Sequence, residues 1–324
     1  MTRSANPATD AAATTPTGFV GCDVGKAGIA VFDSVTGRAT TIANTPLALD
    51  AFAAALPPGR LLVCEATGGY EAALLAAASR AGHAIHRADA RRVKAFIRSL
   101  GTLAKTDALD ARALARYGQE RHERLDRWHP RDEHRQELAT LVNTRSDLVR
   151  ARTACTNRLK APGAGPVAAE LRALVAAHDQ AIAALEARIE ALLAGCASLA
   201  RTASVLRTIP GIGATTAAAL IALLPELGTL GRRQIASLAG LAPHPRQSGT
   251  VDGYRRTRGG RPEIRRVTFM AALSAVRFAP DIKAFYLRLR DSGKKPIVAL
   301  TAAMRKLITI ANAKIRDDHA AQLS

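Results

Sequence analysis

In the N-terminal third of the chain, short β-rich runs alternate with helix-forming stretches, and few folds accommodate this pattern. The runs FVGCDV (19–24) and GIAVFD (28–33) are joined by Gly25-Lys26-Ala27, which predicts a hairpin. Further strands are predicted around 39–44, 60–66 and 84–89, and a helix-forming segment precedes each of the last two. Three strands in a meander followed by β/α units indicate an α/β sheet of the ribonuclease-H type.

The rest of the chain has a helical pattern. Apolar residues recur at helical spacing over 133–193, and the Pro- and Gly-rich segment 161–166 must interrupt the helix. Two long helices folded back on each other predict an antiparallel coiled-coil arm, a type of element that serves packing or dimerisation more often than chemistry. The predicted organisation is a disordered tail (1–17), an α/β domain (18–130), a coiled-coil arm (131–200) and a mainly helical C-terminal domain (201–324) whose basic centre, 243–262, is predicted as a loop.

The net charge indicates a polyanionic partner. The chain holds 46 Lys and Arg against 27 Asp and Glu, a formal charge of +19, and residues 201–324 alone carry +14. Nucleic acid is the simplest partner for such a surface. Aromatic residues make up only 4% of the chain, which argues against binding single strands mainly by base stacking.

Cysteine usage and hydropathy point to the cytoplasm. The four cysteines stand alone without a CxxC pair, which excludes a zinc ribbon and argues against a disulfide framework. The longest apolar run, 214–224, is too short to span a bilayer, and residues 1–17 do not resemble a signal peptide. We therefore expect a protein of the reducing cytoplasm.

Four carboxylates form the first candidate site. Asp23 and Glu65 each end a predicted strand and each follow a cysteine, so alternation places the cysteines on one face and the acids on the other. Asp107 and Asp110 lie three residues apart at the start of a predicted helix and share one face of it. Carboxylates gathered at one edge of a sheet repel each other unless a cation neutralises them, and oxygen ligands suit Mg²⁺ or Mn²⁺.

Each acid taken singly also has an ordinary structural interpretation. An Asp near a strand end often forms a turn, and acids in the first turn of a helix complement the helix dipole. The joint pattern of two strand acids followed by a DxxD helix favours the metal site. Asp33, Glu71 and Asp89 are predicted not to be ligands, although Glu71 lies close enough to Glu65 to be its rival.

The segment LRTIPGIG (206–213), followed by an apolar helix, resembles a helix–hairpin–helix. In such a hairpin, glycines such as Gly211 and Gly213 let backbone amides approach a phosphate at a helix N-terminus. Turns of this kind also occur as ordinary helix connectors, so the motif has only moderate specificity.

A third signal is the arginine-rich stretch 242–266, which contains seven Arg and two acids. Ser248 lies in its middle, ahead of a glycine, where the residues alone favour a turn over a nucleophile. Guanidinium groups bind phosphate oxygens in bidentate fashion. The candidate phosphate ligands are Arg246, Arg255, Arg256, Arg258 and Arg261.

The chain resembles the DEDD-type insertion-sequence transposases of the IS110 and IS1111 groups. The segments that carry the resemblance are, in chain order, CDVGK, CEATGGYE, KTDALDARALA, the arm, IPGIG, LAGLAPHPRQSG and RRTRGGRPEIRR. The resemblance spans residues from about 18 to 314, and it implies a nucleoid-associated protein of a prokaryote. It implies a RuvC-like N-terminal domain whose metal-binding acids match Asp23, Glu65, Asp107 and Asp110. It also implies a C-terminal transposase domain whose nucleophilic serine matches Ser248.

The family picture implies a serine recombinase that forms a covalent phosphoserine intermediate, with the acids of one subunit acting together with the serine of another. It further implies a structured non-coding bridge RNA that pairs with donor and target DNA, and a homo-oligomer that is a dimer or, in the synaptic complex, a tetramer. Two alternatives stay open. One is a RuvC-class nuclease in which water attacks, and the other is a non-catalytic nucleic-acid architectural protein.

Overall fold

A computed structural model of the protein describes residues 15–101, 106–130, 132–248 and 251–322, and for 245–248 and 251–255 it describes only the backbone. Most of the predicted tail, residues 1–14, lies outside the described residues. The chain divides into two compact units, Met1–Arg131 and Asp132–Ser324.

The N-terminal unit contains five strands and four helices in its described part. The strands are Gly18–Val24 (β1), Gly28–Asp33 (β2), Ala39–Ala43 (β3), Arg60–Glu65 (β4) and Ala84–Ala88 (β5). The helices are Pro46–Ala55 (α1), Ala72–Arg80 (α2), Ala90–Ser99 (α3) and Asp107–Arg121 (α4). Each of these five strands lies where the sequence pattern predicts it.

The five strands form one mixed sheet in the order β3-β2-β1-β4-β5. The pairs β1/β2 and β2/β3 are antiparallel, whereas β1/β4 and β4/β5 are parallel. The meander is therefore joined to two β/α crossovers, as expected from the sequence. This topology is compatible with a ribonuclease-H-like domain.

Each face of the sheet is covered by two helices. Residues of α1 and α2 pack on one face, where Cys22 and Cys64 are buried. Residues of α3 and α4 pack on the other face against Phe19, Leu61 and Val63. Because alternate residues of β1 and β4 enter the two cores, the strands are apolar on both sides, as strands between helix layers must be.

The C-terminal unit is mainly helical. Its helices are Glu133–Leu159 (α5), Ala168–Gly195 (α6), Ala197–Arg207 (α7), Ala214–Leu223 (α8), Arg232–Leu238 (α9), Pro262–Phe278 (α10), Pro280–Asp291 (α11) and Pro296–Gln322 (α12). Helices α5 and α6 form a long hairpin broken at the predicted Pro/Gly segment, and ion pairs Arg145–Glu186 and Arg152–Asp179 cross it. The base of this hairpin shares one core with α7, α8, α10 and α12.

The prediction of a loop over 243–262 is wrong for most of that segment. Pro243–Ser248 (β6) and Val251–Thr257 (β7) pair as an antiparallel hairpin with an irregularity between His244 and Arg246. The segment is rich in Arg and Gly, which are not typical strand residues. A two-stranded ribbon is held together by backbone hydrogen bonds, which any side chain allows. The order of side chains in 243–262 therefore does not indicate the ribbon.

No helix in the described ranges is both long enough and apolar enough to cross a membrane.

Candidate active site and nucleic-acid interface

The register of the parallel strands sets the positions of two candidate acids. Cys22 of β1 pairs with Cys64 of β4, so Asp23 and Glu65 follow at the same level on neighbouring strands. Both cysteines are buried in the core beneath α1 and α2, and alternation turns both acids toward the face that α4 covers. Adjacent strands lie about 4.8 Å apart, so the sheet itself holds these two carboxylates side by side.

Helix α4 brings the second pair of acids to the same edge. A Cβ atom on Gly21 would lie 1.9 Å from the carbonyl oxygen of Ala111, so only glycine permits this approach of helix and strand. The helix begins at Asp107, capped by Thr106, whose hydroxyl accepts a hydrogen bond from the Leu109 amide. Further along the helix Gly118 lies against Phe19 at the start of β1, so α4 runs antiparallel to β1 and its first turn lies at the strand end that carries Asp23.

Asp23 and Asp107 line one cavity of about 530 Å³ at this edge, together with residues of β2 and β3. Asp110 lies one helical turn beyond Asp107 and is half-buried, as are Asp23 and Glu65. The sequence-predicted acids are thus carried to one region by β1, β4 and α4.

These oxygen donors fit a hard divalent cation, because carboxylate oxygens are the ligands that Mg²⁺ and Mn²⁺ prefer. Within the described ranges, however, no three or more His, Cys, Asp or Glu side chains form a closed metal-binding group. The carboxylates share the edge of the sheet without converging on one point.

Glu71, the predicted rival of Glu65, is held by hydrogen bonds within the protein. It is almost fully buried, and its carboxylate accepts hydrogen bonds from the Thr67 amide, the Thr67 hydroxyl, the Gly69 amide and the Arg87 guanidinium at 2.8–3.2 Å. Burial opposes its charge, but these bonds outweigh burial and lower the pKa of Glu71 to about 2. Glu71 therefore fixes the loop that directly follows Glu65.

The other two acids predicted not to be ligands also have structural partners. Asp33 lies 3.5 Å from the guanidinium of Arg60. Asp89 caps α3, where its carboxylate accepts hydrogen bonds from two backbone amides of the first turn.

Asn44 is a residue that the sequence analysis missed. Its side-chain amide donates to the carbonyl oxygen of Gly25 at 2.9 Å and to that of Tyr70 at 3.1 Å. Gly25 follows Asp23 in the β1–β2 turn, and Tyr70 lies in the loop after Glu65. No local pattern reveals this contact, because the partners are 19 and 26 residues away along the chain.

The predicted helix–hairpin–helix segment contains two helices, α7 and α8, joined by a tight turn. Gly211 has a φ of +93° and lies against α10, where an added Cβ would come within 2.5 Å of the Ala271 carbonyl oxygen. Gly211 is thus needed for packing inside the protein. Gly213 caps α8, is exposed and has open space around it, so it is the glycine of the pair that is available to a phosphate.

The arginine-rich hairpin carries Ser248 as the last residue of β6, and Ser248 pairs with Val251 of β7. The side chains of Ser248, Arg246 and Arg255 lie outside what the structure describes. Arg256 and Arg258 are exposed, which suits a phosphate contact.

Arg261 requires a correction. Its guanidinium donates to both carboxylate oxygens of Glu226 at 2.6 Å and to the carbonyl oxygen of Leu223 at 2.9 Å. A bidentate pair of this kind uses the donors that a phosphate would need. Arg261 therefore joins the start of α10 to the segment after α8, and we remove it from the candidate phosphate ligands.

Comparison with known proteins identifies the family. Residues 20–162 match the DEDD transposase family of IS110, described as "Transposase", and residues 203–287 match the "Transposase IS116/IS110/IS902 family". The chain is 32% identical over 266 residues to the "Pilin gene-inverting protein" of Moraxella lacunata, an alignment that covers 79% of this chain and 80% of that protein. The chain belongs to the IS116/IS110/IS902 transposase family. It is therefore a DNA transposase, and a non-catalytic architectural protein is set aside.

Two further relatives agree with the family assignment. The "Pilin gene-inverting protein" of Moraxella bovis is also 32% identical over 266 residues. The "Insertion element IS110 uncharacterized 43.6 kDa protein" of Streptomyces coelicolor is 36% identical over 147 residues, which cover 44% of this chain and 35% of that protein. None of these descriptions refers to a guide RNA or a serine nucleophile, so both remain predictions for this transposase.

Proposed function

We propose that this transposase cuts and rejoins DNA with a divalent metal ion held by Asp23, Glu65, Asp107 and Asp110. The observation that carries the proposal is the parallel register of β1 and β4, which sets Asp23 beside Glu65 on the face that α4 covers. When bound, Mg²⁺ or Mn²⁺ neutralises charge on the scissile phosphate and activates the attacking oxygen. The family resemblance supports the assignment of all four acids.

Ser248 is the proposed nucleophile. Its hydroxyl oxygen attacks the phosphorus of the scissile phosphodiester, so that an O–P bond to serine forms and the bond to the leaving deoxyribose oxygen breaks. The serine proton ends on that leaving oxygen. A hydroxyl of the second strand then attacks the phosphoserine, which restores the serine and leaves the number of phosphodiester bonds unchanged. The exposed cations Arg256 and Arg258 suit the charge of the transition state.

The proposed partners are donor and target DNA, a structured bridge RNA and further copies of the chain. A guide RNA agrees with a protein of high positive charge and few aromatics, because base pairing then reads the sequence and the protein holds the backbone. The α5–α6 hairpin is the proposed coiled-coil element for oligomerisation, which would bring the acids of one subunit to the serine of another. Gly213, at the exposed start of α8, is the proposed backbone contact of the hairpin turn.

Trapping of the covalent intermediate tests the reaction. A suicide DNA substrate incubated with the transposase, Mg²⁺ and the RNA transcribed from the element's flanking sequence should give an SDS-stable protein–DNA adduct. Ser248→Ala should abolish the adduct, and Asp23→Asn should abolish strand transfer. The matched control is Asp50→Asn, which removes an exposed acid of α1 that is paired with Arg80 and should leave both readouts unchanged.

The Ser248→Ala variant distinguishes attack by the serine hydroxyl from attack by water. If Ser248→Ala cleaves and rejoins at the wild-type rate, the serine mechanism is wrong. Cleavage by Ser248→Ala without any adduct would favour the RuvC-class nuclease, in which water attacks. Normal adduct formation without the RNA would remove the guide from the proposal.

A further inference from the structure

Three cationic side chains of the C-terminal unit converge on one groove that neither family match assigns. The groove has a volume of about 630 Å³ and lies between α11, α12 and the turn after α7. Lys306 and Lys314 of α12 are eight residues apart with Ile310 between them, so all three share one helical face. Arg288 of α11 closes the opposite side.

The three cations are held by neutral groups. The Lys306 ammonium lies 4.8 Å and the Arg288 guanidinium 5.4 Å from the centre of the Phe285 ring, so two cations share one aromatic side chain. The Lys314 ammonium donates to the hydroxyl of Thr208 at 3.1 Å. Within the described ranges, none of the three forms an ion pair.

This arrangement differs from that of the arginines in the same unit that pair with acids. Arg145, Arg152 and Arg261 all pair with acids and thereby stabilise the fold. The groove has only one acid in its lining, Asp281, and Asp281 forms no ion pair with the cations in the described structure. Like charges brought together in a concave surface repel each other, and an anionic ligand removes that repulsion.

We infer that this groove binds the phosphate backbone of duplex DNA, an inference that rests on the proposed function. Lys306 and Lys314 are ~12 Å apart along α12 at 1.5 Å per residue. One strand of duplex DNA carries one phosphate per ~3.4 Å of axis, so a span of ~12 Å reaches about three phosphates. Apart from the three cations and Asp281, the groove is lined by apolar side chains and prolines, which fits contact with the charged backbone better than reading of base edges.

The salt dependence of DNA binding tests the groove. Affinity of the full chain for a duplex is measured in EDTA by fluorescence anisotropy across a range of salt concentrations. The slope of log K against log salt falls by ~0.9 for each lost phosphate contact. We expect the triple variant Arg288→Gln, Lys306→Gln, Lys314→Gln to reduce the slope by ~2–3 and Lys314→Gln alone to reduce it by ~1.

The matched control is Arg316→Gln, which removes the same charge from the same helix but at a residue that is paired with Asp317. It should leave the slope unchanged, and Lys306→Arg should bind as the wild type does. A wild-type slope for both the triple variant and Lys314→Gln refutes the inference. Reduced binding of a structured RNA with unchanged duplex affinity would show that DNA is the wrong ligand.

Failure of the groove inference can be distinguished from failure of the proposed reaction. If the wild-type protein forms no adduct but its duplex affinity depends on the groove, the reaction is wrong and the groove stands. If the wild-type protein rejoins DNA and the variants bind like it, only the groove is wrong.

A second observation, independent of the groove, concerns Asn44. Its amide joins the turn after Asp23 to the loop after Glu65, and Glu71 accepts a hydrogen bond from Gly69 of that same loop. We infer that Asn44 is a positioning residue that keeps the two acid-bearing strand ends at a fixed separation, an inference that also rests on the proposed function. Loss of such outer contacts weakens metal binding 10- to 100-fold in order of magnitude.

Direct metal binding tests this role without a reaction. Free Mn²⁺ is measured by electron paramagnetic resonance in titrations of wild type, Asn44→Ala and Asp23→Asn. We expect Asn44→Ala to need at least ~10 times more Mn²⁺ for half-occupancy, and Asp23→Asn to lose the site. Unchanged Mn²⁺ affinity in Asn44→Ala, even with lowered stability, would show that its role is structural only. A wild-type protein that binds no Mn²⁺ would instead refute the proposed metal site.

Discussion

The buried Glu71–Arg87 pair leads to a prediction about stability as a function of pH. Glu71 has its pKa lowered from 4.5 to about 2, and a difference of this size corresponds to ~3 kcal/mol of stabilisation of the charged form, at about 1.4 kcal/mol per pKa unit. Glu71→Gln keeps the size and shape of the side chain but removes the negative charge, toward which four hydrogen-bond donors point. Because the Glu71 side chain is only 2% exposed, we expect most of this stabilisation, ~2–3 kcal/mol, to be lost at pH 7.

The sign of the pH dependence follows from the direction of the pKa difference. A carboxyl whose pKa is depressed in the folded state contributes fully above its unfolded value, here 4.5, and its contribution disappears as the pH falls toward about 2. The gap between wild type and Glu71→Gln should therefore be constant above about pH 5 and close between about pH 4.5 and pH 2.

The single tryptophan makes the measurement specific to one unit. Trp128 packs against the core beneath α1 and α2, so its fluorescence reports unfolding of the N-terminal unit within the full chain. We expect the urea midpoint of Glu71→Gln to fall by ~1–2 M at pH 7. Asp50→Asn, which breaks the exposed pair with Arg80, should unfold with the wild type. Equal midpoints for Glu71→Gln and wild type, or a gap that persists at pH 2, would refute the reasoning.

Three other perturbations have defined outcomes. Gly21→Ala should displace α4, lower the Trp fluorescence midpoint in urea and abolish strand transfer, because its Cβ would lie 1.9 Å from a backbone oxygen. Arg261→Gln and Glu226→Gln should each cost ~1–2 kcal/mol in thermal unfolding followed by circular dichroism, and duplex affinity below the transition should stay unchanged. Alkylation at pH 8, followed by peptide mass spectrometry, should label Cys196 before Cys64. A hydrogen bond with a neighbouring serine lowers the pKa of Cys196, whereas burial raises the pKa of Cys64 to about 12. Equal labelling rates for the two thiols would contradict the burial of Cys64.

The sheet could be predicted from the sequence because period-two alternation is a local signal. FVGCDV and RLLVCE place a cysteine and an acid on opposite faces, and the structure buries both cysteines as expected. The position of Asp107 and Asp110 at the start of a helix followed equally from local pattern. What alternation does not give is the strand order that sets Asp23 beside Glu65.

The missed features depend on contacts between residues far apart along the chain. Arg261 resembles its exposed neighbours in sequence, and only its pairing with Glu226, 35 residues away, reveals that it stabilises the fold. The same holds for Asn44, whose partners lie on two other loops. Gly211 fits a phosphate-binding turn by sequence, yet α10 occupies the space that its missing side chain leaves.

The pairing of Cys22 with Cys64 has a genetic consequence. Deleting or inserting a single codon within either strand would shift that strand by one position and turn its carboxylate into the apolar layer beneath α1 and α2. Point substitutions elsewhere in these strands keep the two acids together, whereas the smallest in-frame length change separates them. A one-codon insertion or deletion in either segment should therefore abolish activity even though the reading frame is kept.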